Sequence, residues 1–160
     1  MITLRCTQKL LKKFQIDGPT ESGTSTNLLG DWYANIIYTR QGHYIVCVSE
    51  KSLLPIILSA RDLNSFVPRF KDLITDVLLA LGIPNKSVVG EIIQMYPFFY
   101  GRTKSRIILG TLNDFTKDLK FMLPQNDYSE LEWSLYFAET PCGPLDYKNP
   151  IEVTRKLFDV

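Results

Sequence analysis

Two runs of aromatic and β-branched residues, joined by a short polar segment, constrain the fold of this chain more than any other feature. The runs are Trp32 to Thr39 and His43 to Ser49, and Arg40-Gln41-Gly42 connects them. Residues of these types favour strands, and a short glycine-containing connection between two such runs is typical of a β-hairpin. Both faces of the ribbon are apolar near the turn, which predicts a hairpin covered on both sides at the centre of a sheet.

The register of this hairpin decides which polar residues meet. With Gln41 and Gly42 as the two central turn residues, Asn35 lies opposite Val48 near the open end of the ribbon. Both strands become polar there, so one cluster is predicted from Asp31, Asn35, Glu50 and Lys51. Paired carboxylates beside a lysine resemble part of a nuclease site, but the defining spacing is missing. Solvated strand ends are the simpler interpretation.

Apolar periodicity predicts the elements around the hairpin. The clearest is a helix over residues 65–81, with Asn64 or Ser65 as its cap and Gly82 and Pro84 after it. The other predicted strands cover residues 2–6, 53–58 and 106–109, and Pro55 places the second of them at a sheet edge. The other predicted helices are one over 8–14 capped by Thr7, one over about 86–96 capped by Ser87, one capped by Asn113 or Thr111, and a C-terminal helix that starts at Asn149-Pro150. Residues 129–139 fit either a strand or a helix.

These elements predict an α+β fold, with a central antiparallel sheet built on a β-hairpin at about residues 31–51 and flanked by several helices. The length of 160 residues and a hydrophobic content of 45% fit a single domain over residues 1–160. One segment has no apolar period and is rich in Gly, Ser and Thr, namely Asp17 to Asn27. We expect it to be an exposed, flexible loop.

Charge and hydropathy disfavour two classes of protein: those that coat DNA nonspecifically and those that associate with membranes. The 18 Lys and Arg residues nearly balance the 17 Asp and Glu residues, which disfavours a protein that coats DNA nonspecifically. The longest nearly apolar stretch, Leu53 to Leu58, is too short to cross a bilayer, so no membrane association is expected. Residues 1–6 show no secretory signal pattern, and a cytoplasmic location is expected.

Three cysteines are widely separated in the sequence: Cys6, Cys47 and Cys142. An odd count at these spacings fits neither a disulfide framework nor a Cys-x-x-Cys metal pair, so free thiols and no metal site are predicted. Cys142 is a further candidate because the rigid turn Pro141-Cys142-Gly143-Pro144 favours exposure. The sequence identifies no cofactor.

Other candidate residues have both a functional and a structural interpretation. Asn113 and Asp114 either bind a ligand or cap a helix, and Trp32 either stacks on a base or partner or fills the core. Arg5, Lys9 and Arg102, with Lys104 and Arg106, either contact phosphates or a partner as one patch or lie dispersed on a solvated surface. The structural interpretation is preferred in each case.

Several motifs in a fixed order carry a family resemblance across nearly the whole chain. They are MITLRCT-x-KLL at residues 1–11, LGDWYAN at 29–35, SEKSLLP at 49–55, LNDF at 112–115 and TPCGPL at 140–145. In this order the chain resembles an uncharacterised family of small bacterial proteins known as a domain of unknown function. The resemblance implies a bacterial or phage setting and a single compact domain, and it brings no activity.

The sequence lacks the motifs that identify common enzymes: GxGxxG, GxxxxGK[ST], GxSxG and HExxH. Together with the neutral charge, this favours a non-catalytic binding or regulatory module that acts through protein contacts, with a protein partner or a homo-oligomer, linked to mobile elements or phage conflict. One alternative is an enzyme that acts on nucleic acid or nucleotides through the polar cluster. A third is a small nucleic-acid-binding regulator, whose binding weakens steeply as salt rises.

Overall fold

A computed structural model of the chain describes residues 1–18 and 23–160. Within these ranges it contains five strands and six α-helices. In chain order they are β1 (Ile2–Cys6), α1 (Gln8–Phe14), β2 (Trp32–Thr39), β3 (Gly42–Ser49), β4 (Pro55–Ser59), α2 (Phe66–Ala80), α3 (Asn85–Gln94), β5 (Phe98–Arg102), α4 (Arg106–Met122), α5 (Glu130–Ala138) and α6 (Pro150–Leu157). Short 3-10 turns lie at Leu63–Ser65, Leu123–Gln125 and Gly143–Leu145.

The predicted hairpin is present as β2 and β3, but its turn lies one residue earlier than predicted. Thr39 pairs with Gly42, so Arg40 and Gln41 are the two central turn residues. Gly42 instead begins β3 with a φ of +136°, and the Thr39 hydroxyl donates to its carbonyl oxygen at 2.6 Å. The register moves by two residues, which preserves the faces of the ribbon but places Asn35 opposite Val46 rather than Val48.

The sheet is mixed rather than wholly antiparallel. Its strand order is β4-β3-β2-β1-β5, so the hairpin lies inside the sheet and β4 lies at an edge, as Pro55 indicates. β2, β3 and β4 pair antiparallel, whereas β1 is parallel to both β2 and β5. Pairing between segments this far apart in the sequence leaves no local signal. The α+β class is confirmed.

Helices cover both faces of the sheet. One core contains Trp32 and Ala34 of β2 with α1 and α2, and the other contains Tyr33 and Ile37 with α4 and α5. Alternate residues of one strand therefore enter different cores, as the period of a strand requires. This arrangement agrees with the expectation of a hairpin covered on both sides.

Several helix boundaries correct the sequence analysis. Residues 106–109 form the first turn of α4, not a strand, because Ser105 caps the helix by accepting from Ile108 N–H at 3.2 Å. Asn113 and Thr111 are therefore inside a helix and not its caps. Pro84, not Ser87, lies at the N-cap of α3.

Residues 129–139, which fitted either element, contain helix α5. Its start is a capping box, in which Ser129 accepts from Glu132 N–H and the Glu132 carboxylate accepts from Ser129 N–H, both at 3.1 Å. Two other predicted caps are confirmed: Thr7 accepts from Leu10 N–H and Asn149 from Glu152 N–H.

Candidate functional site

The open end of the hairpin brings Asp31 and Glu50 together. Asp31 directly precedes β2 and Glu50 directly follows β3. Asp31 N–H donates to Glu50 Oε2 at 3.1 Å, and Glu50 N–H donates to the Asp31 carbonyl oxygen at 2.8 Å. The two acidic residues that the hairpin was expected to gather are thus neighbours.

A buried ion pair joins this end of the hairpin to β1. Arg5 Nε donates to Asp31 Oδ2 at 3.1 Å, and the two side chains are only 6% and 7% exposed. The other carboxylate oxygen, Oδ1, accepts from Thr3 N–H at 2.9 Å. Arg5 Nη1 also donates to the carbonyl oxygen of Arg102, on β5, at 3.2 Å. Both oxygens of Asp31 therefore bond β1, and Arg5 extends the connection to β5.

A concavity of about 390 Å³ opens over this junction. Its lining includes Arg5, Asp31, Tyr33, Glu50, Lys104 and Ser105, with the segment Gly23 to Ser25 at its rim. The Tyr33 hydroxyl accepts from Ser105 N–H at 3.1 Å, which attaches the start of α4 to β2. Among the described lining residues, two acidic and two basic side chains balance in charge, so these residues suit a small polar molecule better than they concentrate phosphate.

The other two predicted members of the polar cluster, Asn35 and Lys51, do not line this concavity. Asn35 lies inside β2, because the register differs from the prediction, and its Oδ1 accepts from the Thr7 hydroxyl at 2.6 Å. Lys51 is exposed, and its N–H donates to the Leu29 carbonyl oxygen at 3.2 Å. It does not line the concavity. Asp31, Glu50 and Lys51 therefore lie at the open end of the ribbon, whereas Asn35 lies away from it, which corrects the expectation for Asn35.

The predicted basic patch is also dispersed. Arg5 pairs with Gly101 and Cys6 with Arg102, so the Arg5 and Arg102 side chains lie on opposite faces of the sheet. Lys9 is far along the ribbon, where its Nζ lies 5.6 Å from the centroid of the Tyr38 ring. Of the predicted basic residues, Arg5 and Lys104 share the concavity.

Trp32 fills the core. Its side chain is fully buried and packs edge-on against Phe70, with ring centroids 5.2 Å apart. The indole Nε1 has no hydrogen-bond partner among the described residues. A ring in this position is not available to stack on a base or a partner.

The structure brings Asp114 and Cys142 together but not Asn113. Asn113 and Asp114 are exposed on α4, and Asp114 lines a second concavity, of about 310 Å³, with Cys142. Cys142 is buried rather than exposed, and its thiol donates to the Thr140 carbonyl oxygen at 3.3 Å. Burial, and secondarily the Asp114 charge, raise the pKa of the Cys142 thiol, which disfavours the nucleophilic thiolate.

Sequence reasoning missed Glu91, a buried carboxylate on α3. Its oxygens accept from Asn27 Nδ2 at 2.6 Å, Leu28 N–H at 2.9 Å and Leu29 N–H at 3.3 Å. Asn27 is buried, which corrects the expectation of an exposed loop at this residue, while residues 19–22 of that loop lie outside the described ranges. The available signal was an acidic residue on the inward side of α3, in helical spacing with Val88.

The titration of Glu91 gives a pH dependence of stability. Burial raises the pKa of Glu91 above its ordinary value of 4.5, against the opposing effect of its hydrogen bonds and of Lys51. The folded state therefore binds this proton more tightly than the unfolded chain. We expect the free energy of unfolding of the wild type, relative to Glu91→Gln, to fall as pH rises from 4.5 through the folded-state pKa. Urea unfolding at a series of pH values measures this.

The exposed Glu139→Gln provides the matched control, because it removes a carboxylate that is not buried. The change with pH should be larger in the comparison with Glu91→Gln than in the comparison with this control, because Glu91 is the buried carboxylate. An increase in the relative stability of the wild type with rising pH would contradict the assignment to Glu91.

Gly30 permits the close approach of Glu50 to Asp31. Its φ is +79°, and a Cβ there would lie 2.7 Å from Glu50 Oε2. We expect Gly30→Ala to lower the free energy of unfolding by about 1–3 kcal/mol, because of backbone strain and this overlap. The control is Gly90→Ala in α3, where nothing lies within 4 Å, and it should stabilise the protein by about 0.5–1 kcal/mol. Equal stability of the two alanine variants in urea would refute this account of Gly30.

Within residues 1–18 and 23–160, no group of three or more His, Cys, Asp or Glu side chains is arranged to hold a metal ion. No helix in the same ranges is long and apolar enough to cross a bilayer.

Comparison with known proteins places the chain in a family. No curated protein and no solved structure matches it. A family match covers residues 3–153, which is nearly the whole chain and includes every strand except the first residue of β1. The chain therefore belongs to the family described as a domain of unknown function, DUF6933.

Proposed function

We propose that this protein is a non-catalytic binding module that acts through protein contacts, and that one side of α3 is its contact surface. Val89 and Ile93 lie on this side of the helix, and Tyr96 lies two residues after its end, with its N–H bonded to the Ile93 carbonyl oxygen at 3.2 Å; these three residues define the α3 surface. They are 56%, 68% and 76% exposed. This exposure is the observation that carries the proposal.

The spacing of these residues supports a shared role. Positions separated by four and then three residues lie on one side of a helix, while Val88 and Glu91 are buried on another. Single exposed apolar residues are ordinary on protein surfaces. An isoleucine, a valine and a tyrosine exposed side by side instead favour a contact with another protein.

The bonding of the polar cluster supports the non-catalytic part of the proposal. Asp31 uses both carboxylate oxygens within the fold, and Glu50 Oε2 accepts from Asp31 N–H. A catalytic carboxylate must instead reach a substrate or a metal-bound water. Asp31 is thus accounted for as a structural residue.

The test is capture of proteins from an extract of the native host on immobilised protein. Ile93→Glu places a charge in the α3 surface, and we expect it to lose at least one protein that the wild type captures. Gln94→Glu is the matched control, since it changes the charge of the next residue, which is also exposed but points elsewhere. If every captured protein is retained by Ile93→Glu, the α3 surface is not the contact.

One observation supports a second candidate function, that of an enzyme acting on nucleic acid or nucleotides. Asp31 and Glu50 line the same concavity as Arg5 and Lys104. Metal-dependent turnover of DNA, RNA or nucleotides that Glu50→Ala abolishes would favour this function over a binding module. Binding of nucleic acid without turnover, weakening steeply with salt in gel shifts, would favour a nucleic-acid-binding regulator.

The proposed setting is the bacterial cytoplasm, with a link to mobile elements or phage conflict. The resemblance of the ordered motifs to a family of small bacterial proteins is the basis for proposing a bacterial origin. Cys6, Cys47 and Cys142 are free, buried thiols, which is in keeping with a reducing compartment. Identification of the neighbouring genes tests the proposed link.

A further inference from the structure

The two edges of the sheet differ in how far their outward backbone groups are covered. β4 and β5 are the outer strands of the sheet. An outer strand presents unpaired backbone N–H and C=O groups, which pair readily with another strand unless something covers them. The coverage of each edge therefore indicates whether the fold protects it or leaves it open.

Side chains of α5 cover the β4 edge. Ile57 N–H donates to Ser134 Oγ at 3.0 Å, and Ser59 N–H donates to Glu130 Oε2 at 2.6 Å. Pro55, at the start of the strand, has no N–H to offer. The outward donors of β4 are thus satisfied or absent, and this edge is closed to another strand.

Among residues 1–18 and 23–160, the β5 edge has less cover, which lies at Arg102, whose carbonyl oxygen accepts from Arg5 Nη1 at 3.2 Å. Ile2 N–H donates to the Pro97 carbonyl oxygen at 3.2 Å, and alternate residues of a strand face the same neighbour, so Phe98 and Tyr100 direct their N–H and C=O groups away from β1. Within residues 1–18 and 23–160, no group hydrogen-bonds to these outward groups of Phe98 and Tyr100. The spacing of these backbone N–H and C=O groups is that of the hydrogen-bonding groups along a strand edge, so a further strand can pair with them.

The sequence of β5 is complementary to itself. In an antiparallel pair of two β5 strands centred on Tyr100, Phe98 lies opposite Arg102 and Phe99 lies opposite Gly101. Aromatic residues then face a cation or a glycine, and no like charges face each other. The formal net charge of +1 gives little repulsion between two copies.

Phe99 gives a further reason for this pairing. It is half-buried and belongs to neither core cluster, although its neighbours Phe98 and Tyr100 both pack against the first core. In the antiparallel pair Phe99 lies next to the two-fold axis at Tyr100, where pairing would bury more of its ring.

We propose that two copies of this chain associate through antiparallel pairing of their β5 strands, centred on Tyr100, so that the two sheets become continuous. The pairing is short, because β5 has five residues, and the dimer is therefore in equilibrium with the monomer. The purified protein alone tests this inference, and its outcome does not depend on the α3 surface.

The experiment is sedimentation of the purified chain over a wide concentration range. We expect the average mass to rise with concentration toward twice that of one chain. Phe99→Lys places two cations beside the two-fold axis, and it should keep the protein monomeric at concentrations where the wild type is dimeric. Phe121→Lys is the control, because it makes the same change at an exposed phenylalanine on α4 and should leave the dimer intact.

Amide hydrogen exchange of the wild type gives a second readout that needs no variant. The Phe98 and Tyr100 amides should become more protected as concentration rises. The Ile57 and Ser59 amides, which already have partners, should not change. A wild type that stays monomeric throughout, or a dimer that leaves the Phe98 and Tyr100 amides unprotected, overturns the proposal.

Discussion

Asp31→Ala is expected to lower the free energy of unfolding by about 3–5 kcal/mol, because it leaves the Arg5 guanidinium buried without its carboxylate. Neither side chain of this ion pair is more than 7% exposed, so water screens the loss only weakly. The substitution also removes the acceptor of Thr3 N–H. Urea unfolding followed by circular dichroism measures the effect.

The double variant Arg5→Met/Asp31→Leu separates the ion pair from general damage. It removes both charges, so the cost of a lone buried charge disappears. We expect it to be more stable than Asp31→Ala, although each side chain of the pair is replaced. If Asp31→Ala loses less than about 1 kcal/mol, which is the range of an exposed ion pair, the junction does not depend on the pair.

Trp32→Ala is expected to lower the free energy of unfolding by a similar amount, about 3–5 kcal/mol, because it removes a fully buried ring and leaves a cavity. The ring lies between β2 and Phe70 of α2, so the cavity opens where the sheet meets its largest helix on that face. Urea unfolding again gives the difference.

Tyr38→Ala is the matched control on the same strand. Its ring is 45% exposed and contacts His43 at the turn, so we expect a loss well below that of Trp32→Ala. Trp32→Phe should cost less than Trp32→Ala, because it keeps most of the buried ring and removes the unpartnered indole N–H. If Trp32→Ala is as stable as Tyr38→Ala, the core role of Trp32 is refuted and its side chain is again a candidate for a surface contact.

Local patterns in the sequence predict much of the secondary structure. β1, α1 and β2 have the predicted bounds, because alternation and helical spacing in these segments agree with their tertiary burial. The prediction for the start of α4 was wrong because local composition and tertiary burial disagree there. Residues 106–109 carry two isoleucines and a leucine, which favour a strand locally, but Ser105 caps a helix that buries Leu112 and Phe115.

The candidate site was predictable only in part. Asp31 and Glu50 meet because they follow directly from the hairpin, and a two-residue error in register does not separate the ends of two strands. The partners of Asp31 could not be found this way, since Arg5 and Thr3 come from a parallel strand that is distant in the sequence. Glu91 was missed for a similar reason, because its partners lie in a loop without periodicity.

The central claim is that the polar junction maintains the fold while the α3 surface makes the contacts. Side-by-side measurement of unfolding free energy and of host-protein capture for Ile93→Glu and Glu50→Ala tests it most directly. We predict that Ile93→Glu unfolds like the wild type and loses a captured protein, whereas Glu50→Ala, which removes the acceptor of Asp31 N–H, is less stable and retains every captured protein. Loss of capture in Glu50→Ala at unchanged stability, with full capture by Ile93→Glu, would contradict the claim.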